Sequence, residues 1–455
     1  MEKTKNTLTE RQFIFYGINF IVGFGFISTI SSVIKQGVWG ILVFTLTSLI
    51  TLAVIFAFAR AGQKYQDEVG GSYAYAKKTF KKELTFFQGW NQIAQIILFS
   101  ATNPLFFSTL LSTFDPKNKW IYVAVSLIVY ILLILVGAFG FRLSKWIILI
   151  TGIFKWLTLI VGFGLIIYLI SKSNNAYGET FKNVAPISIL TLSTTILSFI
   201  YSYGGFESLA TVSKNIETKR FKKIIILIFL IVIFSYFVFY IIFLGLSKNY
   251  LSQFGLEEVY KYVWGAAGSS LFAIGLAFNR MSSAIGGVQP RARIIAPLAE
   301  DGFLPAVFSK KNKHNEYQNA IYLSVAIVVA SSLVFTIIPE ILEVKNSFDT
   351  ILKAGNISFL IQYLFTIFTV LVWKYRKTEK IPIWETIIYI LGMITIFFTL
   401  IFSQMPFISG TNDTKITLEL FIPLISYFCS IILGYLIRFM NYWINSRKKK
   451  KISQN

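Results

Sequence analysis

Long runs of apolar residues, separated by short polar stretches, make up almost the whole chain. Runs close to the ~20 residues that carry an α-helix across a bilayer fall at about 13–34, 39–59, 86–112, 120–140, 146–170, 187–212, 224–246, 264–290, 319–338, 350–373, 383–405 and 417–440. The pattern predicts an all-α integral membrane protein of twelve spans. The longest polar stretches, about 60–85 and 298–318, are far shorter than a domain, so the spans form one membrane unit. The first run is long and has no small-residue cleavage site behind it, and it is expected to remain as a span.

Two of these runs are interrupted. The first contains Ile18-Asn-Phe-Ile-Val22-Gly23-Phe24-Gly25-Phe-Ile-Ser28, and the sixth contains Phe199-Ile-Tyr201-Ser-Tyr203-Gly204-Gly205-Phe-Glu207-Ser208. A backbone that stops being helical at membrane depth must be buried in protein or line a wet cavity, because unpaired amides and carbonyls are expensive in hydrocarbon. The breaks lie five spans apart, as expected of two inverted five-span repeats at about 13–170 and 187–373, with 383–440 as two extra helices. A short tail, 1–12, precedes the core and a basic tail, 441–455, follows it.

Composition narrows the class. The chain is 55% hydrophobic with a mean hydropathy of +0.65, and only 14% charged, against about a quarter in soluble proteins. The net charge of +22 would suit nucleic acid, but its distribution follows the positive-inside rule instead. With the N-terminus in the cytoplasm, the outer loops hold only Lys35, Lys117, Lys119, Lys172, Lys182, Lys248, Lys261, Lys345 and Lys415. Both termini are therefore expected in the cytoplasm, with the Arg447 to Lys451 run as a lipid-facing anchor. The sole cysteine, Cys429, excludes a disulfide within the chain, and with the sole histidine, His314, leaves no basis for a zinc site. Phosphate-binding loops and nucleophile elbows are missing, so neither ATP-driven pumping nor hydrolysis has its machinery here, and no cofactor is expected.

The interruptions suggest what binds. Freed amides at a half-helix N-terminus favour an anion, and freed carbonyls at the opposing end favour a cation. An amino acid zwitterion fits both, with its carboxylate at Gly23–Gly25, flanked by Val22 and Phe24, and its ammonium near Tyr201–Gly204, where Tyr201 and Tyr203 either close over the side chain or pack. Three ionisable residues, Glu207, Lys155 and Arg280, lie deep inside spans, where a functional role is the default, whereas Lys353 and Arg438 lie near span ends and can reach the interface. Glu207 follows the second break by two residues. Lys155 lies roughly 13 Å into the fifth run at 1.5 Å per residue, where desolvation penalises its charge. It reads as a proton carrier, as a fixed cation, or as half of a static ion pair. Arg280, inside the eighth run, needs an aqueous cavity, the substrate or a carboxylate such as Glu207.

Four stretches together resemble the amino acid-polyamine-organocation (APC) superfamily of amino acid permeases. They are Gly23-Phe-Gly25, the Tyr201 to Ser208 segment, Ala61 to Tyr75 leading to Gly89-Trp90, and Ala292 to Pro305 with its Asp301-Gly302-Phe-Leu-Pro305 ending. Their order across residues 10–375 makes the match specific. The resemblance implies a five-plus-five inverted repeat, alternating access and a substrate between spans 1 and 6. It also implies that Tyr201 is the aromatic gate, that Glu207 is that span's acidic residue, and that Lys155 matches the lysine linked to sodium-independent, proton-coupled transport in some members. The chain departs from the family pattern at Glu316-Tyr317-Gln318, where a Thr-Pro is usual, and at Asp67-Glu68, where a proline is usual; Arg280 is not part of that pattern. The expected function is transport of an amino acid across the plasma membrane by proton symport. Amino acid exchange is the alternative, and a nutrient sensor that kept the fold without turnover is the reading from another class. The positive charge of Lys155 and Arg280 favours neutral or acidic substrates over cationic ones.

Overall fold

The computed structural model describes residues 9–112, 116–138, 141–173, 177–178, 186–211, 213, 216, 218–246, 255–313, 316–341, 347–404 and 421–452. His314, Lys182, Lys248, Lys345, Lys415 and the start of the last apolar run lie outside them. Span 1 comprises Glu10–Ile21 and Phe24–Ile34, bent by 47°. Then follow span 2 (Trp39–Lys64), span 3 (Lys82–Ser112), span 4 (Lys119–Gly137), span 5 (Ile150–Ser171), span 6 (Ile189–Thr211), span 7 (Phe221–Leu244), span 8 (Leu256–Glu300), span 9 (Gln318–Ile341), span 10 (Ser347–Tyr375), span 11 (Ile383–Gln404) and span 12 (Ile422–Arg447). The protein is an all-α, multi-pass membrane protein, and its spans follow the apolar runs in order.

Span 8 differs most from the hydropathy pattern, which ends it near residue 290. Its helix turns at Gly287 and continues as Val288–Glu300 through Arg291 and Arg293. The reason is amphipathic spacing: Ala292, Ile295, Ala296 and Ala299 recur at helical intervals and are all buried, so one face packs inward although the segment is too polar for a hydropathy window.

The outer surface is a lipid surface. Ile128, Leu132 and Leu135 on span 4, Ile153, Leu157 and Ile160 on span 5, and Ile387, Ile390 and Ile394 on span 11 are exposed at three- or four-residue spacing. Such stripes need no protein partner, because acyl chains solvate them as well as a core does. Inside, span 8 runs along span 5, span 10 along span 3 and span 11 along span 2.

Polar contacts hold the last two spans. Arg60 of span 2 grips Glu385 of span 11 through Nε (2.9 Å) and Nη2 (2.5 Å), and the Tyr389 hydroxyl donates to the same carboxylate at 2.6 Å. Glu379 and Lys222 complete a network around a fully buried Glu385 side chain. Trp90 of span 3 donates its indole N–H to the Ser430 carbonyl of span 12 at 2.8 Å, and the Tyr427 hydroxyl reaches Asn91 at 3.1 Å. Between spans 2 and 3, the short helix Ser72–Lys77 contacts the loop after span 8. Both Tyr73 and Lys77 bond Asp301, Lys77 at 2.6 Å, and burial together with the Asp301 carboxylate holds the Tyr73 phenol well above its usual range.

Candidate functional site

Span 1 opens where its sequence stops supporting a helix. Thr9 caps the first half in a reciprocal box with Gln12. That half ends as Val22 becomes extended (φ −69°, ψ 119°), and the second half starts at Phe24. The first turn of a helix has amides without intrahelical partners, so the Gly23–Gly25 backbone offers donors to the protein interior. The carbonyls on the other side of the break are already engaged. The Lys155 ammonium donates to Asn19 and to Val22, the latter at 2.6 Å, and the lysine is 3% exposed.

Span 6 opens beside it. Helix Ile189–Phe199 passes through a tight turn, Ile200–Tyr203, into an extended Gly204 and then Gly205 at φ +125°, a left-handed conformation that favours glycine. Helix Phe206–Thr211 follows. The Glu207 carboxylate folds back to accept the Gly205 amide at 3.0 Å with both oxygens, and also accepts the Ser208 hydroxyl (3.3 Å) and the Tyr363 hydroxyl (3.4 Å). Main chain meets main chain between the two breaks: a Cβ on Gly25 would lie 2.6 Å from the Tyr201 carbonyl oxygen. The Ser202 hydroxyl sits 2.8 Å from that of Thr29, and the Tyr236 hydroxyl of span 7 donates to the Ser202 carbonyl at 2.7 Å and lies 3.3 Å from that of Ile21.

A cavity of about 210 Å³ occupies the space between the breaks and spans 3, 8 and 10. It is below the roughly 300–1,000 Å³ of drug-sized pockets and suits a small metabolite. Aromatic rings form one wall: Tyr201 lies 5.1 Å from Phe99 and 6.2 Å edge-on from Phe24, and Phe359 meets Phe99 at 6.0 Å.

Residues 8–445, nearly the full length, match the amino acid permease family. The chain belongs to the amino acid permease family. Relatives extend over most of this permease. Uncharacterized protein MG225 of Mycoplasma genitalium is 30% identical over 92% of the chain and 93% of its own length. Uncharacterized transporter YcgH of Bacillus subtilis is 21% identical over 81% and 83%. Uncharacterized transporter Rv1979c of Mycobacterium tuberculosis is 25% identical over 70% and 72%. The family and the names of its relatives make the protein a transporter.

Of the residues singled out from sequence, Val22, Gly23, Phe24, Gly25, Tyr201, Gly204, Gly205, Glu207 and Arg280 line the permease's cavity. Tyr203 does not. It is fully buried on the far side of its turn, where its hydroxyl meets Ser48 at 3.0 Å and its ring packs on Tyr236. Lys155 stands behind the span 1 break and does not line the cavity either. Glu207 and Arg280 do not pair: the carboxylate is held by span 6 and Tyr363, while the guanidinium stacks on Phe24 beside Tyr201.

Sequence reasoning missed the carboxamides. Gln92, Gln95 and Asn103 of span 3, Asn279 of span 8 and Gln362 of span 10 all reach the cavity. Gln95 donates to Gln362 at 2.6 Å, and Gln362 donates to Ser72 at 2.7 Å. Their signal was available: amides at three-residue spacing inside an apolar run are costly in lipid and mark an inward face.

Proposed function

We propose that this permease carries an amino acid across the plasma membrane by alternating access, coupled to protons, with both termini in the cytoplasm. The spans are read as two repeats, about 13–170 and 187–373, with 383–440 appended. The zwitterion's carboxylate lies at the Gly23–Gly25 amides and its ammonium at the span 6 break, under the Tyr201 ring. Two interrupted helices facing one cavity of metabolite size support this reading, as does the permease family.

The seat of Lys155 carries the coupling. Carbonyls freed at a helix break attract a cation, and here the ammonium takes that place on Asn19 and Val22. A lysine, unlike a metal ion, is a cation that can be discharged by losing a proton. Discharge removes the tie between spans 5 and 1, and re-protonation restores it, so proton binding and cavity opening share one residue.

The test is uptake of labelled amino acids into liposomes containing the purified permease. Without sodium, an inward acid gradient is expected to drive accumulation into empty vesicles. Strict dependence on sodium would overturn the coupling, and uptake only into vesicles preloaded with amino acid would make the protein an exchanger.

A further inference from the structure

The charge around the cavity is unbalanced. Its charged lining consists of Arg280, Arg291 and Glu207. Glu207 is internally satisfied by the Gly205 amide and two hydroxyls. Arg280 is 4% exposed, yet its Nε and Nη2 find no hydrogen-bond partner, and no carboxylate pairs with it among the described residues. Its polar neighbour is the Tyr201 side chain, and Phe24 lies against its face. Arg291, further along span 8, lines the same cavity and also leaves a buried Nη1 unpartnered. A guanidinium has donors only and no acceptor, so these nitrogens call for an acceptor, which a ligand entering the cavity can bring. A charge held in this setting without a counter-charge is expensive, and that cost is removed when an anion arrives.

We infer that the guest is a dicarboxylic amino acid, whose side-chain carboxylate is received by the guanidinium of Arg280. The inference rests on the reading of the cavity as an amino acid site and names the substrate class for it. One carboxylate is accounted for by the amides of the span 1 break. A neutral amino acid would end there and leave Arg280 unpaired, and a cationic one would add a like charge. A second carboxylate meets the planar fork of Arg280 with two parallel, charge-assisted hydrogen bonds, which is the geometry a guanidinium recognises best. The Phe24 ring fixes the fork from behind, so the guanidinium is positioned before the ligand arrives.

The test compares acids with their amides, which match in shape and differ in charge. Binding of aspartate against asparagine, and of glutamate against glutamine, is measured by calorimetry on the full-length purified permease. One acid is expected to bind about tenfold or more tighter than its amide, and Arg280→Gln is expected to bring that ratio close to one. Arg280→Lys, which keeps the charge without the fork, should give an intermediate ratio and serves if the glutamine variant does not fold. The inference is overturned if the amides bind as well as the acids in the unaltered permease, or if the preference survives Arg280→Gln. Equal loss of acid and amide binding in Arg280→Gln would also overturn it, by placing Arg280 on the α-carboxylate while leaving amino acid transport standing. Failure of every amino acid to bind would instead remove the proposed function.

Discussion

The hydroxyl of Tyr236 donates to the carbonyl of Ser202 at 2.7 Å and lies 3.3 Å from that of Ile21. One phenol on span 7 therefore touches the unwound backbone of span 6 and the last turn before the break in span 1. Tyr236→Phe keeps the ring, which stacks on Phe26 at 4.4 Å, and removes only the donor. Leaving a buried carbonyl unpaired costs about 1–3 kcal/mol. The variant is expected to melt at lower temperature in detergent and to show reduced uptake, and an unchanged melting curve would mean that these carbonyls find other donors.

Gly25 gives a steric prediction. Alanine there would place a methyl carbon 2.6 Å from the Tyr201 carbonyl oxygen, a main-chain atom that cannot rotate away. Gly25→Ala should push spans 1 and 6 apart, abolish uptake and destabilise the fold by about 1–3 kcal/mol. Gly164→Ala on span 5 is the control, because nothing lies within 4 Å of the added carbon. There the gain in helix propensity, roughly 0.5–1 kcal/mol, should leave stability equal or higher.

Lys155→Ala removes the ammonium from the Asn19 and Val22 carbonyls at a residue that does not itself line the cavity. Gradient-driven accumulation should disappear while ligand-induced thermal stabilisation remains measurable. If accumulation persists at the unaltered rate, the lysine only braces span 1.

The buried and exposed ion pairs should separate cleanly. Glu385→Gln leaves Arg60, 10% exposed at its side chain, without its main partner, and should cost on the order of 3 kcal/mol. Glu83→Gln breaks the Arg438 pair, whose carboxylate is 68% exposed, and should cost below about 1 kcal/mol. Melting temperatures of the two variants, measured side by side, check the contrast.

Much of this architecture was legible from hydropathy and glycine placement alone. The two breaks are visible because glycine pairs stand out in runs that lipid would otherwise keep helical. The depth of Lys155 follows from counting rises along one run, but its carbonyl partners lie more than a hundred residues away in sequence and no local pattern names them. Tyr201 and Tyr203 show the same limit at shorter range. In a turn of about three residues per revolution, two positions two apart point in different directions, so one ring reaches the cavity and the other the core. The orientation of Arg280 depends on which face span 8 turns inward, which is set by its packing along span 5. The span 8 extension was hidden because Arg291 and Arg293 lower its hydropathy while its buried alanines keep it helical.

The contact between Gly25 and the Tyr201 carbonyl has an evolutionary consequence. Where the two open segments meet, the surface is made of peptide groups, which every residue supplies alike. In the proposed site the common head of an amino acid is thus read by atoms that substitution cannot change, provided the glycines stay. Diversification of the guest would then fall on the side chains that form the walls. On that reading a lineage would exchange one guest for another by altering a side chain such as Arg280, with no need to rebuild the two breaks.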